Sequence, residues 1–113
     1  MAKLTNLTPH SIVLCGADGQ PLLTVPPSGG LARCEPIREV VGTVAVDGHK
    51  IPMTQVRLGP LTGLPEAEAG TLFIVSRLAA DAARALGRDD VVVPDDSVRD
   101  ASGRVMGCKA LAR

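Results

Sequence analysis

Aromatic residues are almost absent from this chain. Phe73 is the only one among 113 residues, and neither tryptophan nor tyrosine occurs. The core must therefore be built from aliphatic side chains, and there is no aromatic platform on which successive bases could stack. Net charge is absent too: 12 basic and 12 acidic residues give +0, so no long-range field attracts nucleic acid or anionic lipid. Both absences argue against a nucleic-acid partner.

Long hydrophobic runs and paired cysteines are also missing. No stretch approaches the length of a membrane span, and the opening "MAKLTNLT" has no apolar signal-peptide core. Cys15, Cys34 and Cys108 are dispersed, which indicates neither a disulfide framework nor a zinc knuckle. We expect a single cytoplasmic domain over residues 1–113, with no membrane association, no metal and no cofactor.

The order of apolar runs and turn residues predicts the fold. Asp-Gly turns predict hairpins at residues 10–25 and around Asp47-Gly48, with "PPSGG" (residues 26–30) as a loop between them. "LARC" is predicted as a short extended piece, "GPLTGLPEAEAG" as an irregular connection and "SVRDASGRVMGC" as a last hairpin.

The C-terminal half has a different pattern. "TLFIVS" and "DDVVVP" are continuous apolar runs, typical of strands covered on both faces. Between them "RLAADAARALG" predicts a helix, with Ser76 as N-cap and Gly87 just after its end. The predicted fold class is α+β: a mostly antiparallel sheet of short strands and hairpins, with one helix in a small strand-helix-strand unit.

Catalytic signatures are missing. The chain has no phosphate-binding P-loop, no dinucleotide-binding fingerprint, no zinc-protease motif and no nucleophile elbow. We therefore assign no catalytic residue. A small hydrolase or transferase that uses His10 with an aspartate stays open as an alternative.

The segment "NLTPH" places three polar side chains at every second position. Pro9 favours an extended conformation at Thr8, which predicts that Asn6, Thr8 and His10 share one face. Two interpretations stay open: these side chains bind a ligand, or they tie down a neighbouring loop.

Two further segments carry candidate residues. In "PPSGG", Ser28, Gly29 and Gly30 can turn successive backbone N–H groups toward an anion, and Arg33 follows closely. The alternative is a plain turn between strands, with Arg33 on the surface. In "DDVVVPDDSVRD", the favoured interpretation is that Asp95 or its neighbour forms a turn after a proline and that Arg99 pairs with an acid.

The motifs "NLTPH-x-I", "PPSGG-x-AR", "GT-x-FIVS" and "VRD-x-x-GRV-x-GC" span nearly the whole chain. In these it resembles a family of small uncharacterised proteins from phages, prophages and actinobacteria. The resemblance implies a genomic context and no mechanism. By analogy, phage domains of this size without catalytic apparatus include proteins that sequester nucleotide-derived immune signals. The recurrent polar positions of the family correspond here to Asn6, Thr8, His10, Ser28, Arg33, Ser76, Asp95 and Arg99.

The leading hypothesis is a non-enzymatic protein that binds a small anionic molecule, for example one derived from a nucleotide. Such a protein would act as an anti-defence sponge, which removes a signal molecule by binding it. Its expected ligand-binding residues are Asn6, Thr8, His10, Ser28, Gly29, Arg33, Ser76, Asp95 and Arg99. The alternative is a structural or protein-interaction module for phage assembly or host takeover. A mean hydropathy of +0.21 predicts apolar surface that pairs copies into a homo-oligomer, through a strand edge or the alanine-rich helix.

Overall fold

A computed structural model describes residues 2–113. Their strands and helix are β1 (Lys3–Asn6), β2 (Ile12–Cys15), β3 (Pro21–Val25), β4 (Arg33–Val46), β5 (His49–Thr62), β6 (Thr71–Ile74), α1 (Arg77–Ala85), β7 (Val91–Arg99) and β8 (Val105–Ala112). Six strands form one sheet in the order β1-β6-β7-β8-β2-β3, and β4 pairs with β5 in a separate two-stranded ribbon. In outline this is the predicted α+β fold, mostly sheet with one short helix. The predicted mostly antiparallel arrangement does not hold in the large sheet, where three of the five strand pairings are parallel and two are antiparallel.

The middle of the large sheet is covered on both faces. β6 runs parallel to β1 and to β7, and α1 connects β6 to β7. Because side chains alternate along a strand, Phe73 and Val91 pack with α1 on one face. Ile74 and Val92 pack with Val25 on the other. This confirms the prediction that both apolar runs are buried strands.

The large sheet curls until its two edge strands approach each other. The ends of β1 and β3 are joined by a hydrogen bond from the side chain of Asn6 to the backbone of Val25. The result is a nearly closed barrel whose interior holds the Val25, Ile74 and Val92 cluster. Sequence patterns did not predict this closure, because it joins strands at opposite ends of the sheet.

The helix begins and ends where the sequence predicted. The hydroxyl of Ser76 accepts a hydrogen bond from the backbone N–H of Ala79. At the other end Gly87 has a φ of 85°, and the N–H groups of Gly87 and Arg88 bond back to the last turn, which is a Schellman motif. Within residues 2–113, no helix is long enough and apolar enough to cross a membrane.

The ribbon of β4 and β5, here called the arm, is longer than predicted. Each strand has 14 residues, so that the second half of "LARC" (Arg33 and Cys34) and the start of the expected irregular connection (residues 59–62) belong to the arm. Asp47 and Gly48, with φ of 49° and 79°, join the strands, and Val46 pairs with His49, as in a two-residue type I′ hairpin. The base of the arm packs on α1 through Leu61.

The last hairpin differs in detail from the prediction. β7 continues through Asp95 and Asp96, so neither residue forms the expected turn after Pro94. The turn is made instead by Asp100, whose carboxylate accepts hydrogen bonds from the backbone and hydroxyl of Ser102 and from the backbone N–H of Arg104. These bonds hold the pKa of Asp100 below its ordinary value.

Arg99 also differs from the expectation that it pairs with an acid. Its guanidinium donates to the carbonyl oxygen of Gly103 at 2.8 Å. This bond crosses the turn between β7 and β8, so Arg99 stabilises the last hairpin.

Candidate functional site

The side chain of Asn6 is the most highly bonded polar group near the predicted site. It is 1% exposed. Its amide nitrogen donates to the carbonyl oxygens of His10 (2.7 Å) and Val25 (3.1 Å). Its amide oxygen accepts from the backbone N–H (2.9 Å) and the hydroxyl (2.6 Å) of Thr8. Two donors and two acceptor positions are thus all occupied within the chain, and no part of the amide is left for a ligand.

The bonds to Asn6 also explain the conformation of the following residues. The chain turns after Asn6 and does not continue extended through Thr8 to His10, so the three side chains do not share one strand face. His10 contributes its backbone carbonyl, while its side chain is exposed and makes no hydrogen bond within residues 2–113. No carboxylate therefore orients the imidazole there.

The "PPSGG" loop is hydrogen-bonded to the backbone of Asn6. Both the hydroxyl (2.7 Å) and the backbone N–H (3.0 Å) of Ser28 donate to the carbonyl oxygen of Asn6. The N–H of Gly30 donates to the hydroxyl of Ser28 at 3.4 Å. The expected anion nest therefore has two of its three N–H groups engaged, and Gly29 lies exposed with a φ of 97°.

A pocket of about 300 Å³ lies beside the turn that follows Asn6 and the "PPSGG" loop. Residues 7–9, residues 31–36 and Ser76 line it. Three of the predicted ligand-binding residues meet there: Thr8, Arg33 and Ser76. The hydrogen bonds Leu7 N–H to Ile74 O (2.9 Å) and Ala32 N–H to Leu7 O (3.2 Å) hold two of its walls together. The pocket is thus built where β1, the start of β4 and the start of α1 converge.

The polar groups of the pocket divide into donors and acceptors. Arg33 is exposed, and its guanidinium makes no hydrogen bond or ion pair within residues 2–113. Ser76 accepts from Ala79 and so keeps its O–H free to donate. The hydroxyl proton of Thr8 is directed to Asn6 at 2.6 Å, with the carbonyl oxygen of His10 at 3.1 Å, so toward the pocket this hydroxyl can only accept. The carboxylate of Glu35 is a second acceptor in the lining.

The remaining predicted residues do not line the pocket. Asp95 and Arg99 lie on β7, while His10 and Gly29 are exposed, in the turn that follows Asn6 and in the "PPSGG" loop respectively. Sequence reasoning missed Glu35 and Cys34, both on β4. The available signal was the alternation Arg33-x-Glu35 in an extended segment, which places both charges on one side of the strand.

Comparisons of the chain with protein-family models, with curated proteins and with solved structures yield no match. The chemistry of the pocket therefore carries the functional proposal.

Two titratable groups elsewhere have altered properties. Arg88 donates two parallel hydrogen bonds to Asp90, at 2.9 and 2.8 Å, and these hold the pKa of the Asp90 carboxyl below its usual range. Burial raises the pKa of the Cys108 thiol, which disfavours the nucleophilic thiolate. All three cysteines are free and buried, as expected from their spacing.

Proposed function

We propose that this protein binds a small anionic molecule in the pocket beside Arg33 and Ser76, without catalysing a reaction on it. The observation that carries the proposal is the Arg33 guanidinium, which has no protein partner within residues 2–113 and borders a pocket of about 300 Å³. That volume lies at the lower end of small-molecule sites. A guanidinium binds phosphate or carboxylate through two parallel hydrogen bonds.

The rest of the pocket indicates the ligand class. Leu7, Pro9 and Pro36 supply apolar walls, while Glu35 and Thr8 supply acceptors. A ligand that satisfies both the donors and the acceptors of the pocket carries an anionic group, which binds Arg33 and the Ser76 hydroxyl. It also carries hydroxyl or amino groups that donate to Glu35. Nucleotides and their derivatives combine these features. With one aromatic residue in the chain, the base would contact aliphatic side chains instead of a stacking ring.

The cellular setting of the proposal is cytoplasmic and phage-related, on the strength of the motif resemblance. In that setting the bound molecule would be a nucleotide-derived signal that the protein removes from solution, by analogy with other small phage proteins. The protein would act as a homo-oligomer, because 15 large apolar side chains among residues 2–113 are exposed.

A second candidate is a protein-interaction module. The hydrogen bonds of Asn6 and Ser28 within the chain support it, because these two side chains hold neighbouring turns together. On this alternative the pocket binds no ligand and is only the space left where the arm joins the six-stranded sheet and α1.

The test uses small molecules released from the full-length chain purified from cells that carry the phage or prophage, identified by mass spectrometry. We expect one anionic compound, and its affinity is then measured by calorimetric titration. Arg33→Ala should weaken binding about 10–100-fold, as expected for loss of a charge-assisted contact. The wild-type affinity should decrease as salt is raised.

Two further variants separate binding from folding. Arg99→Ala removes the same charge away from the pocket and should leave the affinity unchanged. Ser76→Asp keeps a good helix N-cap but adds a negative charge to the pocket, so it should lose binding while it remains folded. Release of no small molecule, or equal affinity for all four proteins, would overturn the proposal and leave the interaction module.

A further inference from the structure

The arm carries much of the protein's exposed apolar surface. Nine large apolar side chains between Ile37 and Leu58 are 39–65% exposed. With about half of a ~120 Å² side chain exposed at each position, they present on the order of 500 Å². In a standard protein–protein interface each partner buries about 450 Å² of apolar surface, which is a similar area. A two-stranded ribbon is marginally stable in water by itself. We therefore expect a partner to stabilise the arm.

The apolar side chains lie on both faces of the arm. Because directly paired residues share a face and positions alternate, Ile51 and Met53 lie on one face together with Val44, the partner of Ile51. Val56 and Leu58 lie on the opposite face. A partner laid over one face would leave the other exposed, whereas a strand added to the edge places new side chains next to both.

The two edges of the arm are not equally open. β5 contains Pro52 and Pro60 within the strand, and proline cannot donate to a further strand. Edge strands are commonly protected by proline, lysine or a β-bulge. The register of β4 shifts between Val40 and Gly42, but from Gly42 to Val46 the strand is regular and contains no proline and no lysine. The open edge of the arm is therefore that of β4.

The hairpin turn determines which backbone groups of β4 point outward. In a two-residue type I′ hairpin the residues flanking the turn, Val46 and His49, are a hydrogen-bonded pair. Hydrogen-bonded and non-bonded pairs then alternate, so Ala45 with Lys50, and Thr43 with Pro52, are non-bonded pairs. The N–H groups of Thr43 and Ala45 consequently point away from β5, toward the open edge.

We propose that the β4 edge pairs antiparallel with the β4 edge of a second copy of this chain about a two-fold axis. The product is a continuous four-stranded sheet, β5-β4-β4-β5. This inference rests on the proposed homo-oligomer and assigns its surface. A second copy fits because a two-fold interface uses the same patch twice. Residues 42–46, which follow the register shift at Val40–Gly42, carry no charge, so pairing centred on Val44 brings no like charges opposite each other.

The test compares two matched proline substitutions in the full-length chain. Ala45→Pro removes an outward N–H from the β4 edge, and Lys50→Pro removes the equivalent group from the β5 edge directly across the ribbon. Neither removes a hydrogen bond within the arm. By sedimentation velocity at micromolar concentration we expect wild type and Lys50→Pro to be dimers and Ala45→Pro to be monomeric, with equal far-UV circular dichroism.

Amide hydrogen exchange of the wild type tests the same edge without a substitution. We expect the N–H groups of Thr43 and Ala45 to exchange slowly, and more slowly at higher protein concentration, while the outward N–H of Lys50 exchanges fast. A wild type that is monomeric throughout would overturn the oligomer and this inference together. A dimer that persists in Ala45→Pro, or in which Thr43 and Ala45 exchange fast, would overturn the β4 edge alone and leave the oligomer standing.

Discussion

The side-chain amide of Asn6 donates a hydrogen bond to the backbone carbonyl oxygen of Val25 over 3.1 Å. These residues end β1 and β3, the two edge strands of the six-stranded sheet. One buried side chain therefore bridges the gap in the barrel, and the same amide fixes the turn that forms one wall of the pocket.

We expect Asn6→Ala to destabilise the protein by about 2–4 kcal/mol. The substitution leaves the carbonyl oxygens of His10 and Val25 without this donor and the N–H of Thr8 without this acceptor, and each buried group that loses its partner costs about 1–3 kcal/mol. Urea denaturation followed by circular dichroism measures the change.

Two variants control for this result. Asn6→Asp keeps the acceptor for Thr8 but loses both donors, so it should also be destabilised. His10→Ala should cost less than about 0.5 kcal/mol, because only the backbone of His10 is bonded. If His10→Ala proved as damaging as Asn6→Ala, the imidazole would have a role that its exposed position does not explain.

The Arg88–Asp90 pair should make stability depend on pH in the acid range. Its side chains are 25% and 15% exposed. Because the pKa of Asp90 is lowered in the folded state, the stabilisation is present above the ordinary aspartate pKa of about 4 and is lost as pH falls through the folded pKa. Asp90→Asn should therefore cost about 0.5–1.5 kcal/mol at neutral pH and almost nothing in acid.

The control for this pair is Asp89→Asn, since Asp89 is the exposed neighbour. Denaturant titrations at both pH values should show little difference between Asp89→Asn and wild type. A cost for Asp90→Asn that is the same at neutral and acid pH would mean that the ion pair does not contribute.

Two strand glycines should respond in opposite ways to alanine. A methyl group on Gly107 would lie 2.7 Å from the carbonyl oxygen of Val13 and 2.8 Å from the sulfur of Cys15. We expect Gly107→Ala to destabilise by about 1–3 kcal/mol through this overlap. At Gly42 nothing lies within 4 Å, so Gly42→Ala should be neutral or stabilising by up to ~1 kcal/mol. Thermal melts of both variants check the difference, and equal destabilisation would mean that β8 does not approach β2 so closely.

The cysteines should be unreactive in the native protein. All three are buried, and burial raises the pKa of Cys108, so little thiolate is accessible to an alkylating agent. We expect slow labelling of the folded chain, three labels after denaturation, and no change of Tm with reductant. A lower Tm in reductant would indicate a disulfide and contradict the free thiols.

Much of the local structure could be predicted from residue patterns. The helix was predicted through Ser76 and Gly87, because capping depends on the residues within one turn of each helix end. The buried strands were predicted through "TLFIVS" and "DDVVVP", because a strand with apolar residues on both faces must be covered twice. Asp47-Gly48 predicted its hairpin because few residues accept two successive positive φ angles.

The candidate site was predicted less well. Thr8, Arg33 and Ser76 were selected as polar residues and do meet at one pocket. Asn6 and Ser28 were selected by the same criterion, but their hydrogen bonds are occupied within the chain. A sequence does not distinguish a polar side chain that binds a ligand from one that closes a turn, because both need the same donors and acceptors.

By itself, the sequence determined the turns, the helix ends, the buried strands and the near absence of aromatic contacts, since each follows from residues that are close in the chain. Only the tertiary structure decided that β1 and β3 meet at Asn6 and that Arg99 lies on a strand away from the pocket. It also decided that the second hairpin forms a two-stranded arm separate from the six-stranded sheet. These features depend on which distant strands become neighbours, and that is set by the burial of the whole core rather than by any local pattern.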